Sequence, residues 1–349
     1  MGELGILLWV VLSRVAIAGA IVFVLTQWPR REPRVLRHLV VSTVLVTAAG
    51  VAGVIVLLGN GDAWLAVFFG LPAVAGAASV LLGPRGGYSS RVGAGVTGIV
   101  LTSSMLILLG LEGLVCCLLA FPLLAASYAG GVLVGVGVGF VLRAGIALCW
   151  PGRDDTTVRG VATALLLVAL PGAKDLELHR ATGARVEPIE SRIRITATPP
   201  QIWAALEEID AVHGPKPLLL RIGLPVPTMC EMDGTGVGAR RTCHFDVGRI
   251  EERVSVWDPP RRMELEIVHW TLPGRHWLGY ESASYELRET APGETEVSRV
   301  TTITSNLRPA WYWRPLERAG VRAEHDYLLR DVKRRLETAT EPRAPQAAP

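Results

Sequence analysis

The feature that most constrains this chain is where its charges lie. Residues 1 to 172 contain 10 Arg or Lys and 6 Asp or Glu, whereas residues 173 to 349 contain 25 and 26. A segment so poor in charge cannot clothe a folded core in hydrated side chains, while the second half has the ordinary surface chemistry of a water-soluble domain. Half of all residues are hydrophobic and the mean hydropathy is +0.36. That composition excludes a disordered chain, a collagen and a disulfide-dense miniprotein.

The apolar half falls into runs of membrane-spanning length. Leu4 to Thr26, Leu39 to Leu58, Trp64 to Leu82 and Val92 to Gly110 are 23, 20, 19 and 19 residues long, close to the ~20 that cross a ~30 Å hydrocarbon layer. Gly113 to Leu142 is free of charge but contains Pro122. We read Gly113 to Ala125 as a partial or interfacial segment and residues 127 to 148 as a fifth span. Residues 156 to 172 offer a shorter sixth. The reading is therefore an all-α transmembrane bundle over residues 1–172, then a linker at 173–190. No basic leader precedes the first span, so it is expected to be retained rather than cleaved.

Arginines collect in alternate connections: Arg30, Arg31, Arg34 and Arg37, then Arg85 and Arg91, then Arg143, Arg153 and Arg159. The positive-inside rule places these loops in the cytoplasm. With six spans the C-terminal half then lies outside the cytoplasm, which is the arrangement we favour; with five it lies inside. Gly131, Gly135 and Gly139 form a small-residue face that lets another helix approach closely. Arg14 and Glu112 sit within or beside apolar runs, where an ionisable group needs a partner or water.

In the second half the hydrophobic period changes. Ile193, Ile195 and Ala197 alternate as in a strand, Pro199 and Pro200 open a short helix to Ile209, and six further strands are expected at about 229–233, 239–247, 249–257, 261–270, 278–288 and 294–305. Turn residues such as Gly234 to Gly238 and Asp258-Pro259-Pro260 separate them. A long helix from Trp311 to about Ala339 carries Val321, His325, Leu328, Val332 and Leu336 on one stripe. The fold class is thus α+β, a curved antiparallel sheet around a C-terminal helix at 191–339, with a disordered tail at 340–349.

These residues also carry a resemblance. The opening Ile193-x-Ile195-x-Ala197-x-Pro199-x-x-Ile202-Trp203-x-x-Leu206, the Gly236-x-Gly238-x-Arg240 and Gly248-x-Ile250-x-Glu252 turns, the Trp257-Asp258-Pro259-Pro260 corner and the last helix together resemble the START and Bet v 1 superfamily, the polyketide cyclase/dehydrase-like SRPBCC proteins. The whole chain is similar to bacterial membrane proteins in which such a domain follows several spans, with a Trp-Tyr-Trp segment like Trp311 to Trp313. The resemblance implies a helix-grip fold with an apolar cavity, in a multi-pass protein of the bacterial cytoplasmic membrane. It implies no particular reaction.

Strand parity then gives an inward set. Arg241, Cys243, Phe245, Glu252, Val254, Met263, Leu265, Ile267, His269, Glu281, Tyr285 and Arg299 are expected to line the cavity, with Val321, His325 and Leu328 from the helix. A one-residue bulge would invert parts of that set. Charges inside must be paired or must meet a polar ligand head. His269, His325 and Glu252 are the candidate acid–base residues. No metal-ligand spacing, P-loop, dinucleotide fingerprint or nucleophile elbow occurs, so neither metal nor cofactor is expected. The +3 net charge includes no long basic run, so nucleic acid is not an expected partner. Cys230 and Cys243 lie at matched distances from the Gly-rich turn and would face one another across an antiparallel pair, making a disulfide available in an oxidising compartment. The expected partners are the lipid bilayer and an apolar or lipid-like small molecule held near it. A cyclase or dehydrase activity and a domain regulating the membrane bundle are the alternatives.

Overall fold

The computed structural model describes residues 64–81, 88–108, 112–149, 161–162, 164, 183–207 and 209–340. The expectations for the first two spans, Arg14, nearly all of the sixth segment, most of the linker and residues 341–349 lie outside the described residues. The chain divides at residues 183 and 184 into two compact units, described separately here.

In the first unit, a π-helical turn at Ala66–Gly70 leads into α1 (Leu71–Leu81), followed by α2 (Tyr88–Leu108) and α3 (Leu114–Cys149). Pro122 does not divide the segment as expected; it lies inside one helix of 36 residues. A proline deletes a single donor, here to the Leu118 carbonyl, and apolar helices absorb that loss where most neighbouring residues keep their own bonds. At 1.5 Å per residue α3 is about 54 Å long. Its mean hydropathy of 2.2 makes it the one described helix long and apolar enough to cross a membrane; the apolar stretches Ala66–Leu81 and Thr97–Leu108 are shorter.

The glycine face of α3 does what its spacing predicts. A Cβ on Gly131 would overlap the Ala73 backbone, and one on Gly135 would come within 2.9 Å of the Ala77 Cα. Gly76 of α1 answers in kind, since a Cβ there would overlap the Tyr128 carbonyl. Two backbones therefore meet across hydrogen-only side chains. Elsewhere on α3, Leu133, Val134, Val136, Phe140, Val141 and Leu148 are 52% to 83% exposed.

The second unit is a seven-stranded antiparallel sheet of order β1-β7-β6-β5-β4-β3-β2. Its strands are β1 (Arg185–Ile195), β2 (Pro227–Asp233), β3 (Arg240–Phe245), β4 (Arg249–Asp258), β5 (Arg262–Trp270), β6 (Leu278–Ala291) and β7 (Glu294–Ser305). Two short helices, α4 (Pro199–Glu207) and α5 (Leu218–Arg221), fall between β1 and β2, and α6 (Ala310–Thr340) closes the chain. The hairpins follow the expected turns. Gly248, between β3 and β4, has φ +85°, and a Cβ there would come within 2.7 Å of the Thr271 carbonyl, so only glycine fits. The curved sheet with a long C-terminal helix is the α+β arrangement that the patterning predicts, and the helix-grip fold that the resemblance implies.

β1 starts at Arg185, inside the stretch expected to be linker. Its early residues hide the strand signal because Glu187 is an inward position and Pro188 lacks a donor. The proline is tolerated because β1 is an edge strand. The core between sheet and helices is apolar, with Ile195, Ile202, Leu206, Met263, Leu265, Val297, Leu328 and Val332 almost inaccessible. Trp203 of α4 meets Trp257 of β4 edge to face at 5.0 Å.

Candidate functional site

Within that apolar interior lies a compact group of charges. Arg241 of β3 and Glu252 of β4 face each other across the strand pair, and Arg241 Nη1 donates to Glu252 Oε2 at 3.0 Å, both side chains being nearly inaccessible. Arg299 of β7 donates through Nη1 and Nη2 to Glu324 of α6, at 3.1 and 3.0 Å. Between the two pairs stands Tyr285 of β6, 1% exposed, its ring centre 5.6 Å from the Arg241 guanidinium carbon and 5.4 Å from that of Arg299. One aromatic ring separates two buried cations, each of which its π-cloud stabilises.

The charges hold. Burial works against each guanidinium, but Tyr285 and Glu252 around Arg241, and Glu324 and Tyr285 around Arg299, outweigh it and keep both cationic. Burial lifts the Glu324 carboxyl above its ordinary range, against the downward pull of Arg299. Several donors are left over. Arg241 Nε and Nη2, Arg299 Nε and the Tyr285 hydroxyl are buried and meet no partner at full hydrogen-bond geometry, although the Tyr285 hydroxyl lies close enough to Arg241 to favour its charge. A buried donor without an acceptor costs ~1–3 kcal/mol, more when charged, so four in one place form a set of groups ready to meet an acceptor.

His325 of α6 is fully buried, as its stripe predicts. Both ring nitrogens are occupied, Nε2 by the Thr301 hydroxyl at 2.8 Å and Nδ1 by that of Ser191 at 3.1 Å. Burial, with Arg299 and Arg322 nearby, lowers its pKa to about 2. The imidazole is therefore neutral near pH 7 and fully engaged, which is the chemistry of a cross-brace between β1, β7 and α6 rather than of an acid–base group.

Most of the expected inward set is inside. Arg241, Cys243, Glu252, Val254, Met263, Leu265, Ile267, Tyr285, Arg299, Val321, His325 and Leu328 are buried and Phe245 is half-buried. His269 and Glu281 are not; both are exposed. Each lies at a β-bulge. Glu251 pairs with His269 but Glu252 pairs with Ile267, leaving Val268 as an extra residue; Tyr280 pairs with Ile303 and Ser282 with Thr302, leaving Glu281 extra. An extra residue turns two successive side chains to the outside and shifts the parity. His269 is thereby removed from the candidate acid–base group. Sequence reasoning missed Glu324, whose place in the site is set by the roll of α6, and Ser191, whose hydroxyl matters only because His325 reaches it.

Cys230 and Cys243 are directly opposite across β2 and β3 and form a disulfide with a Cα–Cα distance of 4.1 Å. Among the described residues no group of three or more His, Cys, Asp or Glu is placed to hold a metal ion.

A second cluster lies at the edge of the sheet. Glu187 of β1 is buried and accepts from Arg314 Nε at 2.8 and 3.0 Å and from Arg318. Glu317 accepts from Arg185 and from the Ser305 hydroxyl. Burial would raise the Glu187 carboxyl, but hydrogen bonds from Arg314 and Arg318 hold it below its usual range.

Residues 188–337 match the family model described as polyketide cyclase / dehydrase and lipid transport. No curated protein matches the chain. Among solved structures, a START superfamily protein from Mycobacterium smegmatis aligns at 10% identity over 45% of this chain and 100% of its own, with a TM-score of 0.34. The Zhui aromatase/cyclase from Streptomyces sp. R1128 aligns at 18% identity over 45% and 99%, with a TM-score of 0.32. Norcoclaurine synthase from Thalictrum flavum aligns at 14% over 47% and 97%, with a TM-score of 0.30. At these scores the likenesses carry no functional weight, and the assignment rests on the family match together with the sheet and helix described above. Residues 188–337 are thus similar to polyketide cyclase/dehydrase-like domains, with the sheet and long last helix expected of them.

Proposed function

We propose that this domain holds an apolar small molecule bearing one polar, electron-rich end, and that the apolar half of the chain anchors it at a bilayer as a multi-pass membrane protein. The observation that carries the reading is the set of unspent guanidinium donors on Arg241 and Arg299, gathered around the Tyr285 hydroxyl and enclosed by apolar side chains. A carbonyl, phenolate or carboxylate oxygen is the acceptor that such donors recognise, and an apolar body suits the surrounding wall. The exposed aliphatic face of α3 and its length support the anchoring. The Cys230–Cys243 disulfide supports placing the domain outside the cytoplasm of a bacterial cell.

The test is mass spectrometry of the full chain, purified in mild detergent and kept native until organic extraction. A stoichiometric apolar compound with an oxygen acceptor, missing from an Arg241→Met, Glu252→Leu double variant, is the expected result. Equal recovery from both proteins would overturn the reading.

One observation favours a second reading, catalysis of a dehydration or cyclisation. Glu324, whose carboxyl burial raises against the pull of Arg299, is an interior carboxyl of the residue type that serves in proton transfer. A Glu324→Gln variant that retains the compound but accumulates an unconverted precursor would favour the enzyme.

A further inference from the structure

The first turns of α6 present a surface that the interior site does not use. Trp311 is 76% exposed, the most exposed aromatic ring among the described residues of this domain, although its neighbour Trp313 is buried and donates from Nε1 to the Arg308 carbonyl at 3.1 Å. Tyr312 meets both rings edge to face, Trp311 at 5.9 Å and Trp313 at 5.1 Å. Trp311 is therefore the outer end of an aromatic stack anchored in the core, and its exposure is built in. Arg314, Pro315, Arg318 and Arg322 follow it at helical spacing and, with Trp311, line a shallow groove of about 430 Å³. The charge on this face is unbalanced. Glu187, buried beneath it, takes Arg314 and Arg318 together, and no ion pair among the described residues holds Arg322.

We propose that the Trp311–Arg314–Arg318–Arg322 face docks onto the headgroup layer of an anionic lipid bilayer. An indole prefers the boundary between hydrocarbon and water, and guanidiniums are drawn to a surface of phosphates, so this pairing of residues on one face matches a layer that supplies both. A free anion would satisfy the arginines and leave the indole in water. The inference also rests on the domain being held near a membrane, which the apolar half of the chain provides under the reading above.

The experiment uses the full chain in nanodiscs made either of phosphatidylcholine or of phosphatidylcholine with phosphatidylglycerol, each with acyl chains brominated near the headgroup. Fluorescence of the chain minus that of its Trp311→Phe variant isolates one indole, since the other tryptophans cancel. The expected result is a Trp311 signal quenched about twofold or more in the anionic discs and much less in the zwitterionic ones. The difference should disappear with Arg322→Glu, which spares the arginines that hold Glu187, and should weaken at high salt because exposed charges are screened. A Trp311 signal equally bright in all discs would overturn the proposal, as would quenching that Arg322→Glu leaves intact. Protection from aqueous acrylamide without bromine quenching would also overturn it, pointing to a protein partner instead. If the chain fails to enter discs, the anchoring reading falls by itself, and flotation with phosphatidylglycerol vesicles decides docking by the same variant comparison.

Discussion

The two buried charge clusters of the C-terminal domain lie against the same helix and are built differently. At the sheet edge, Glu187 is met by arginines whose guanidiniums reach solvent, Arg314 and Arg318, so water shares the cost of assembling the cluster. In the interior, Arg241, Glu252, Tyr285 and Arg299 are closed off from water, and the arginines keep nitrogens with no acceptor. A cluster that exists only to hold β1 against α6 has reason to satisfy its donors, and the edge cluster does so except at Arg185 Nε. Donors left unsatisfied inside a core signal a task other than holding strands together.

The largest expected effect comes from the interior. Arg241→Ala leaves Glu252 buried and unpaired and should cost ~3–5 kcal/mol, whereas replacing the pair together by Met and Leu should be close to neutral. Urea unfolding of the single and double variants checks this, and a double variant as unstable as the single would break the contrast.

Glu187→Gln should cost less, ~1.5–3 kcal/mol, because its arginine partners can rehydrate. Its pH signature sharpens the comparison. A carboxyl held below its ordinary value of 4.5 contributes stability that is fully present above that pH and lost as the pH falls further. The wild type should therefore lose stability more steeply than Glu187→Gln below pH 4.5.

His325 gives a third, smaller signature at milder pH. The unfolded chain protonates this imidazole near 6.5 and the folded chain only near 2, so below 6.5 the unfolded state binds the extra proton. Stability should fall with decreasing pH by up to about 1.4 kcal/mol per unit. His325→Gln should flatten that slope between pH 6.5 and 5, and an unchanged slope would assign it to other groups.

The smallest effect is expected at the bulges. His269→Ala and Glu281→Ala, both on the outer face, should each change stability by less than ~0.5 kcal/mol and leave the co-purified compound in place. Loss of the compound in either would mean that the outer face takes part in binding.

Much of this domain is legible in its sequence because half-buried strands alternate and amphipathic helices repeat. The strands from β2 to β7, the stripe Val321–His325–Leu328 and the facing cysteines all follow from period and turn chemistry. Two kinds of information are not local. Parity beyond a bulge depends on the partner strand, which is why His269 and Glu281 were expected inside. A charged residue at an inward position, such as Glu187, reads as a broken pattern until the arginines that meet it, more than a hundred residues later, are in place. The glycine face of α3 was legible for the opposite reason, since the absence of side chains has few other uses, while the continuity of that helix through Pro122 was not.

The bulges at Val268 and Glu281 also bear on how the strands tolerate length changes. In each, two consecutive residues point outward between inward ones: Val268 and His269 between Ile267 and Trp270, Glu281 and Ser282 between Tyr280 and Ala283. Deleting one residue of either couple restores plain alternation and leaves the inner wall as it was, whereas deletion within the regularly paired stretches 262–266 of β5 or 283–288 of β6 would turn the remaining wall inside out. These two places are therefore spare links, where the chain can shorten without rewriting what its interior presents.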